Sequence, residues 1–191
     1  QNVADYLDKI KEMEAKPFVD LRRKHFLNLS GGVSFSEVNR FSAYIDDFAT
    51  YAKSPYVGGD YSNITKETTQ VVEFINVADE VNKGLNLITF FGHSGPNTAD
   101  IDIGRVSDEN LGYTNKGQYP FILINGCDAG AFYQIAKNET PFGEDWVNTA
   151  EKGSSGVLAH AYLGFPNELK RYSDLFYANA YGDSVLIDQP I

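Results

Sequence analysis

Residues 85–95 read Leu85-Asn86-Leu87-Ile88-Thr89-Phe90-Phe91-Gly92-His93-Ser94-Gly95, and residues 119–127 follow the same plan as Tyr119-Pro120-Phe121-Ile122-Leu123-Ile124-Asn125-Gly126-Cys127. Each is a nearly continuous apolar run that stops at a glycine, and a side chain with chemistry comes directly after it. Short runs that are apolar on both faces belong to strands buried on both sides, as in a parallel sheet covered by helices. These two stretches predict an α/β layer fold with a mainly parallel sheet between helices.

The flanking sequence supplies the helices. At the start, Val3, Tyr6, Leu7 and Ile10 recur at helical spacing with Asp8, Lys9, Lys11 and Glu12 opposite them, which predicts an amphipathic opening helix within residues 1–16. Residues 24–29 read as a strand that Ser30-Gly31-Gly32 stops. Ser34-Phe35-Ser36-Glu37 fits a capping box, and Val38, Phe41, Tyr44, Ile45 and Phe48 continue a helical apolar face. Around Gly58-Gly59-Asp60 we expect a polar loop; residues 68–75 read as strand or helix, and residues 76–83 as a helix ending at Gly84. Ile101-Asp102-Ile103 alternates like an edge or hairpin strand. Beyond Cys127, residues 143–151 read as a helix carrying Trp146 and Val147, residues 157–163 as a third apolar strand and residues 167–180 as a last helix. A polar stretch to Ile191 contains no closing element.

With 191 residues, 42% of them hydrophobic, the chain is long enough for one domain with a full core and short for two. A net charge of −10 and a pI near 4.7 argue against a nucleic-acid partner, because nothing here would neutralise phosphates. One cysteine excludes an intrachain disulfide. No apolar stretch reaches the roughly 18 residues a spanning helix needs, and no signal peptide is visible. Because Gln1 stands where a Met would start a chain, we expect these residues to be one domain of a longer protein.

In open α/β sheets function gathers at the carboxyl ends of the strands. If the two buried strands are parallel neighbours, Gly92-His93 and Gly126-Cys127 bring an imidazole and a thiol to one rim, with the glycines letting the backbone turn out of the sheet. A thiol is only a few per cent thiolate at neutral pH. An adjacent imidazole raises that fraction and can later protonate a leaving amine. Main-chain N–H groups beyond His93 and at Cys127 could receive a tetrahedral oxyanion. The parts fit acyl transfer; two candidate ligands are too few for a metal. Singly, Cys127 reads as a small buried apolar residue and His93 as a hydrogen-bonded loop histidine. Their matched positions favour the catalytic reading of the pair.

An apolar strand ending in Gly-His, then one ending in Cys-x-x-Gly (Asn125-Gly126-Cys127-Asp128-Ala129-Gly130), resembles the caspase/legumain/gingipain clan of cysteine peptidases. The His-to-Cys spacing is similar to that of the gingipains (peptidase family C25). So are the first strand ending in Gly31-Gly32, the stretch Phe142-Gly143-Glu144-Asp145-Trp146 and the strand beyond Lys152-Gly153. The resemblance covers roughly residues 5–180. It implies a caspase-like three-layer sandwich, a peptidase acting on protein or peptide substrates, His93 as base, Cys127 as nucleophile, and an oxyanion hole from the N–H groups of Ser94 and Cys127. It also implies a secreted or cell-surface protein with a preceding subdomain and a C-terminal segment. An impaired peptidase that only binds or scaffolds, and a signal-removing or transpeptidating enzyme of the secretion machinery, are the alternatives.

The sequence departs from the family pattern at two positions. Ser94 follows the histidine where gingipains usually have Gly, and Ser30 stands where they place an acid in reach of the imidazole. For substrate binding the resemblance points to Glu37, near the place of the aspartate that holds the basic side chain in the arginine-specific gingipains; Glu37 also reads as the capping-box acid. Asp128 could face a pocket or be a solvated turn acid, and Tyr162 and Phe165 could wall a pocket or belong to the core. No cofactor is expected. Asp60, Asp100 and Asp102 could bind structural Ca²⁺, but they lack recognisable ligand spacing.

Overall fold

The computed structural model describes residues 2–17, 19–134 and 139–182. Among the described residues five α-helices run in order: α1 (Asn2–Glu14), α2 (Phe35–Ala52), α3 (Ala78–Asn82), α4 (Phe142–Asn148) and α5 (Pro166–Tyr181). Seven strands alternate with them: β1 (His25–Ser30), β2 (Asp60–Thr65), β3 (Glu73–Phe74), β4 (Leu87–Phe91), β5 (Ile101–Asp102), β6 (Phe121–Asn125) and β7 (Gly156–Ala159). Five of the strands form one sheet in the order β2-β1-β4-β6-β7, every pair parallel.

Alternation along the strands sorts the core into two layers. Leu27, Leu29, Ile88, Phe90, Ile122 and Ile124 face Val81 of α3 and Trp146 of α4. Phe26, Leu87, Phe91 and Leu123 face Phe41, Ile45 and Phe48 of α2 and Leu169 and Tyr177 of α5. The result is the three-layer α/β sandwich expected from the two apolar runs. Each such side chain, fully buried, contributes about 1.5–3 kcal/mol. The first layer is closed by α1, whose Lys9 inserts its ammonium among the carbonyl oxygens of Trp146, Val147, Thr149 and Lys152 at 3.3, 2.9, 3.2 and 2.7 Å.

The fold differs from the sequence reading in four places. The polar loop expected around Asp60 contains β2, an edge strand paired with β1; Tyr61 and Ile64 are its apolar contribution, and its polar residues suit a rim position. Residues 68–75 are mostly irregular, with only Glu73 and Phe74 in a strand. They pair in parallel with β5 as a separate two-stranded ribbon, so Ile101 and Asp102 edge no part of the main sheet. The third apolar strand stops at Ala159, and residues 160–163 leave the sheet to cross the rim. Residues 183–191, expected as a polar tail, lie outside the described residues. Among those described, no helix is long and apolar enough to cross a membrane.

Candidate active site

The register Phe91↔Asn125 places the last residues of β4 and β6 side by side. Gly92-His93 and Gly126-Cys127 therefore leave the sheet at one level of one rim. Neither glycine has a positive φ. Close approach explains them instead. A Cβ on Gly92 would lie 2.5 Å from an Asp100 carboxylate oxygen, and one on Gly126 would overlap the Ser94 hydroxyl and sit 2.9 Å from the Ser94 Cβ.

Three polar ties hold the His93 turn. Its N–H donates to Asp100 Oδ2 at 3.1 Å, its C=O accepts from the Asp100 N–H at 2.9 Å, and its ring Nε2 meets Glu37 Oε2 at 3.3 Å. The ring rests against Phe41 and keeps 48% of its side chain exposed, so a ligand can reach it. Glu37 caps α2 at the same time: its N–H donates to Ser34 Oγ at 3.3 Å, and its Oε2 accepts from the Val33 N–H at 3.0 Å. Burial works to raise the Glu37 pKa, but the Val33 N–H and the His93 imidazole outweigh it and hold the carboxyl below its ordinary range.

Cys127 is half-buried and sits against the loop beyond β7. Its Sγ accepts from the Gly164 N–H at 3.4 Å and lies 3.6 Å from the Gly164 carbonyl oxygen. Among the described residues no hydrogen bond joins Sγ to His93. The Cys127 carbonyl accepts from Ser94 Oγ at 2.7 Å, while the next N–H, that of Asp128, donates to the Tyr162 carbonyl at 3.1 Å. Asp128 itself adopts φ 52°, the left-handed region that a non-glycine residue enters at some cost.

Among the described residues, the main-chain N–H groups of Ser94 and Cys127 are open at this rim. Ser94 and Ala99 form an antiparallel bridge flanked by the bonds Gly95 N–H to Thr98 O (2.8 Å) and Asp100 N–H to His93 O (2.9 Å). That makes Ser94 and Ala99 a non-hydrogen-bonded pair, whose own N–H groups turn outward. Neither the Ser94 N–H nor the Cys127 N–H donates to another described residue. The site therefore offers an imidazole, a thiol and two free N–H donors within three residues of two adjacent strand ends.

Over residues 1–190 the chain matches the profile of peptidase family C25. It belongs to that family. None of the curated protein sequences matches it. Three solved structures do. The Arg-specific cysteine proteinase gingipain R (RgpB) superposes with a TM-score of 0.69 at 19% identity, over 92% of this chain and 41% of that one. A structure described only as a protease gives 0.67 at 17% identity, over 90% and 36%. The complex of the RgpB pro- and mature domains from Porphyromonas gingivalis gives 0.65 at 19% identity, over 91% and 41%. The fold is thus that of a cysteine peptidase, and the chain spans about two-fifths of the length of the structures it matches.

Ser30 is buried, with no partner for its hydroxyl among the described residues, and the acid at the imidazole is Glu37, which arrives from the N-terminus of α2. Glu37 faces His93 rather than standing free for a ligand. Asp128 follows the thiol, half-buried, and its Oδ1 has no partner among the described residues. Tyr162 and Phe165 are 70% and 65% exposed, on the loop that carries Gly164, so neither belongs to the core. Asp60, Asp100 and Asp102 serve separate turns, bonding the N–H groups of Tyr61, of Gly32 and His93, and of Gly104. Among the described residues no three His, Cys, Asp or Glu side chains gather as metal ligands would.

Two residues of this site escaped the sequence reading in the roles they play: Asp100, weighed only as a Ca²⁺ ligand, and Lys66. Asp100 is 2% exposed and ties β1 to β4 by accepting the N–H groups of Gly32 (2.6 Å) and His93 (3.1 Å) on one oxygen. Its signal was an acid seven positions past the histidine, across a Gly95-Pro96 turn. Buried Lys66 holds the same corner from the other side, donating to the Gly32 carbonyl at 3.1 Å and to the carbonyls of Gln70 and Val71.

Proposed function

We propose that the protein is a cysteine endopeptidase working through a Cys127–His93 dyad and an acyl-enzyme. The observation that supports it is the delivery of thiol and imidazole by adjacent parallel strands to one solvent-reachable rim, beside two unpartnered N–H groups. With Nε2 engaged by Glu37, Nδ1 is the nitrogen left to take the thiol proton. The thiolate attacks the scissile carbonyl carbon, forming a C–S bond while the carbonyl electron pair moves onto oxygen. The N–H groups of Ser94 and Cys127 receive that oxyanion. Collapse breaks the C–N bond, and the imidazolium protonates the leaving amine. His93 then deprotonates a water that attacks the thioester, returning a carboxylic acid and the thiol. Glu37 steadies the imidazolium through both halves.

The same reading makes these residues a catalytic domain of a longer extracellular protein, with protein or peptide as substrate. In the full-length protein, cleavage of a quenched peptide library should disappear in Cys127→Ala and His93→Ala. Iodoacetamide should label Cys127 faster than a free thiol at about pH 6, where an unassisted thiol is almost wholly protonated. Labelling no faster than a free thiol, unchanged by His93→Ala, sinks the proposal. A peptide-binding domain without turnover is the second reading, and the bonding of Sγ to Gly164 rather than to the imidazole favours it. Peptide binding by a wild-type protein that cleaves nothing would select it. Capture of the acyl group by an added amine would instead mark a transpeptidase.

A further inference from the structure

The hydroxyl of Ser94 links the two halves of the candidate site across 33 positions of sequence, donating to the Cys127 carbonyl at 2.7 Å. Three observations make this more than a surface contact. The peptide group between Cys127 and Asp128 is held at both ends, by Ser94 Oγ on its oxygen and by the Tyr162 carbonyl, 3.1 Å away, on its N–H. The residue that follows, Asp128, is left-handed at φ 52°, and a non-glycine residue stays there only where its surroundings over-determine it. Finally, Gly126 has no room for a side chain because the Ser94 side chain occupies the space where its Cβ would be. Glycine before the thiol and serine after the imidazole form one interlocking unit.

From this geometry we infer that Ser94 is a positioning residue whose hydroxyl fixes the main chain of Cys127, and so sets the spacing between the two N–H donors that would receive the oxyanion. The inference rests on the proposed peptidase function and adds to it a device outside the dyad. Ser94 has no positive φ, so its backbone has no need of glycine; the hydroxyl is the added feature. Without it the Cys127–Asp128 peptide keeps only its Tyr162 anchor and can tilt on the side of Cys127, carrying the Cys127 N–H with it, while the Ala131 N–H still holds the Asp128 carbonyl at 2.9 Å. A misplacement of about 1 Å in a reacting array costs up to roughly 10²-fold in rate.

The test compares Ser94→Ala and Ser94→Gly in the full-length protein, with folding checked by circular dichroism. Both should lose about 10- to 100-fold in kcat with KM within about twofold, because the oxyanion forms only after substrate is bound. A peptidyl aldehyde, whose adduct with the thiol places an oxygen in the oxyanion position, should bind weaker by the same factor. Alkylation of Cys127 by iodoacetamide, which forms no oxyanion, should be unchanged. Wild-type kcat in Ser94→Gly but not in Ser94→Ala would show that backbone freedom is what matters, and would overturn the inference. So would a loss confined to KM, or alkylation slowing in step with kcat. Should the wild type neither cleave peptides nor form the aldehyde adduct, the peptidase reading falls and the inference with it.

Discussion

Replacing Asp100 separates what its carboxylate does for the rim from what its charge costs. One buried oxygen accepts two main-chain N–H groups, from Gly32 at 2.6 Å and His93 at 3.1 Å, and the other has no partner among the described residues. Asp100→Ala strands both donors in the interior. A buried donor left unpaired costs about 1–3 kcal/mol, so the pair predicts a loss of about 2–6 kcal/mol, a large share of the total stability of a domain. Asp100→Asn keeps an acceptor oxygen where both donors converge. It also removes a charge that burial disfavours: desolvation pushes this carboxyl up, against the pull of the His93 and Gly32 N–H groups and the Lys66 ammonium. Asn should therefore cost less than half as much as Ala. Urea unfolding monitored by Trp146 fluorescence measures both, with an unchanged slope showing that the unfolded state is the same. The sign with pH follows from the raised pKa. The folded state binds the proton more tightly, so this group lowers stability as pH rises through and above the ordinary aspartate range, and Asp100→Asn should flatten that fall. An Ala variant costing under about 1 kcal/mol, or Asn and Ala costing the same, would refute the idea that convergent acceptance by one oxygen holds the two strand exits together.

Two other substitutions test neighbouring parts of the reasoning. Glu37→Gln should lower kcat by roughly tenfold, a fraction of the 10²–10⁴ that acid–base catalysis supplies. Because its carboxyl is held below the ordinary range, the stability Glu37 contributes should be present above the usual glutamate pKa and vanish as pH falls through its own lowered one; melting curves of wild type and Glu37→Gln should converge in acid. Lys9→Met preserves the aliphatic stem but takes the ammonium from the carbonyls of Val147, Thr149 and Lys152, while that of Trp146 keeps the Ser154 N–H, predicting a loss of about 2–4 kcal/mol in chemical unfolding and faster amide exchange in α1.

The central strands were legible because β4 and β6 are apolar on both faces, and that periodicity is set by burial. The N-terminus of α2 was legible for a local reason, since Ser34 and Glu37 satisfy donors within one turn of each other. By contrast, β2 escaped because an edge strand carries little apolar surface: Tyr61 and Ile64 lie on opposite faces of the sheet and leave no apolar periodicity to read. Of the candidate site, the positions of His93 and Cys127 followed from strand ends alone. The contacts of Glu37 with His93 and of Asp100 with Gly32 did not, because they join segments 56 and 68 residues apart and only the assembled sheet brings those segments together. The role of the glycines was misjudged for the same reason: Gly92 and Gly126 answer to what stands opposite them, which no local rule encodes.

A parallel sheet sends every strand of one direction to the same rim, but its ladder ends at Ser30, Phe91, Asn125 and Ala159, before any reactive group. Precision beyond that line has to come from side chains and turns. Here the exits are joined in sequence: β1 to β4 through Asp100, β4 to β6 through Ser94, and β6 to the loop after β7 through Tyr162 and Gly164. The remaining tie, Glu37 to His93, runs from α2 to β4, and it places a carboxylate at a helix N-terminus, where the macrodipole and the Val33 N–H favour its ionised form. The alternation of β1 turns the Ser30 side chain toward the α2 face of the sheet, whereas Asp100 packs over the opposite face, in the space where a Gly31 Cβ would lie. Glu37 and Asp100 therefore hold the His93 turn through separate donors, Glu37 through the ring Nε2 and the Val33 N–H, Asp100 through the main-chain N–H groups of Gly32 and His93.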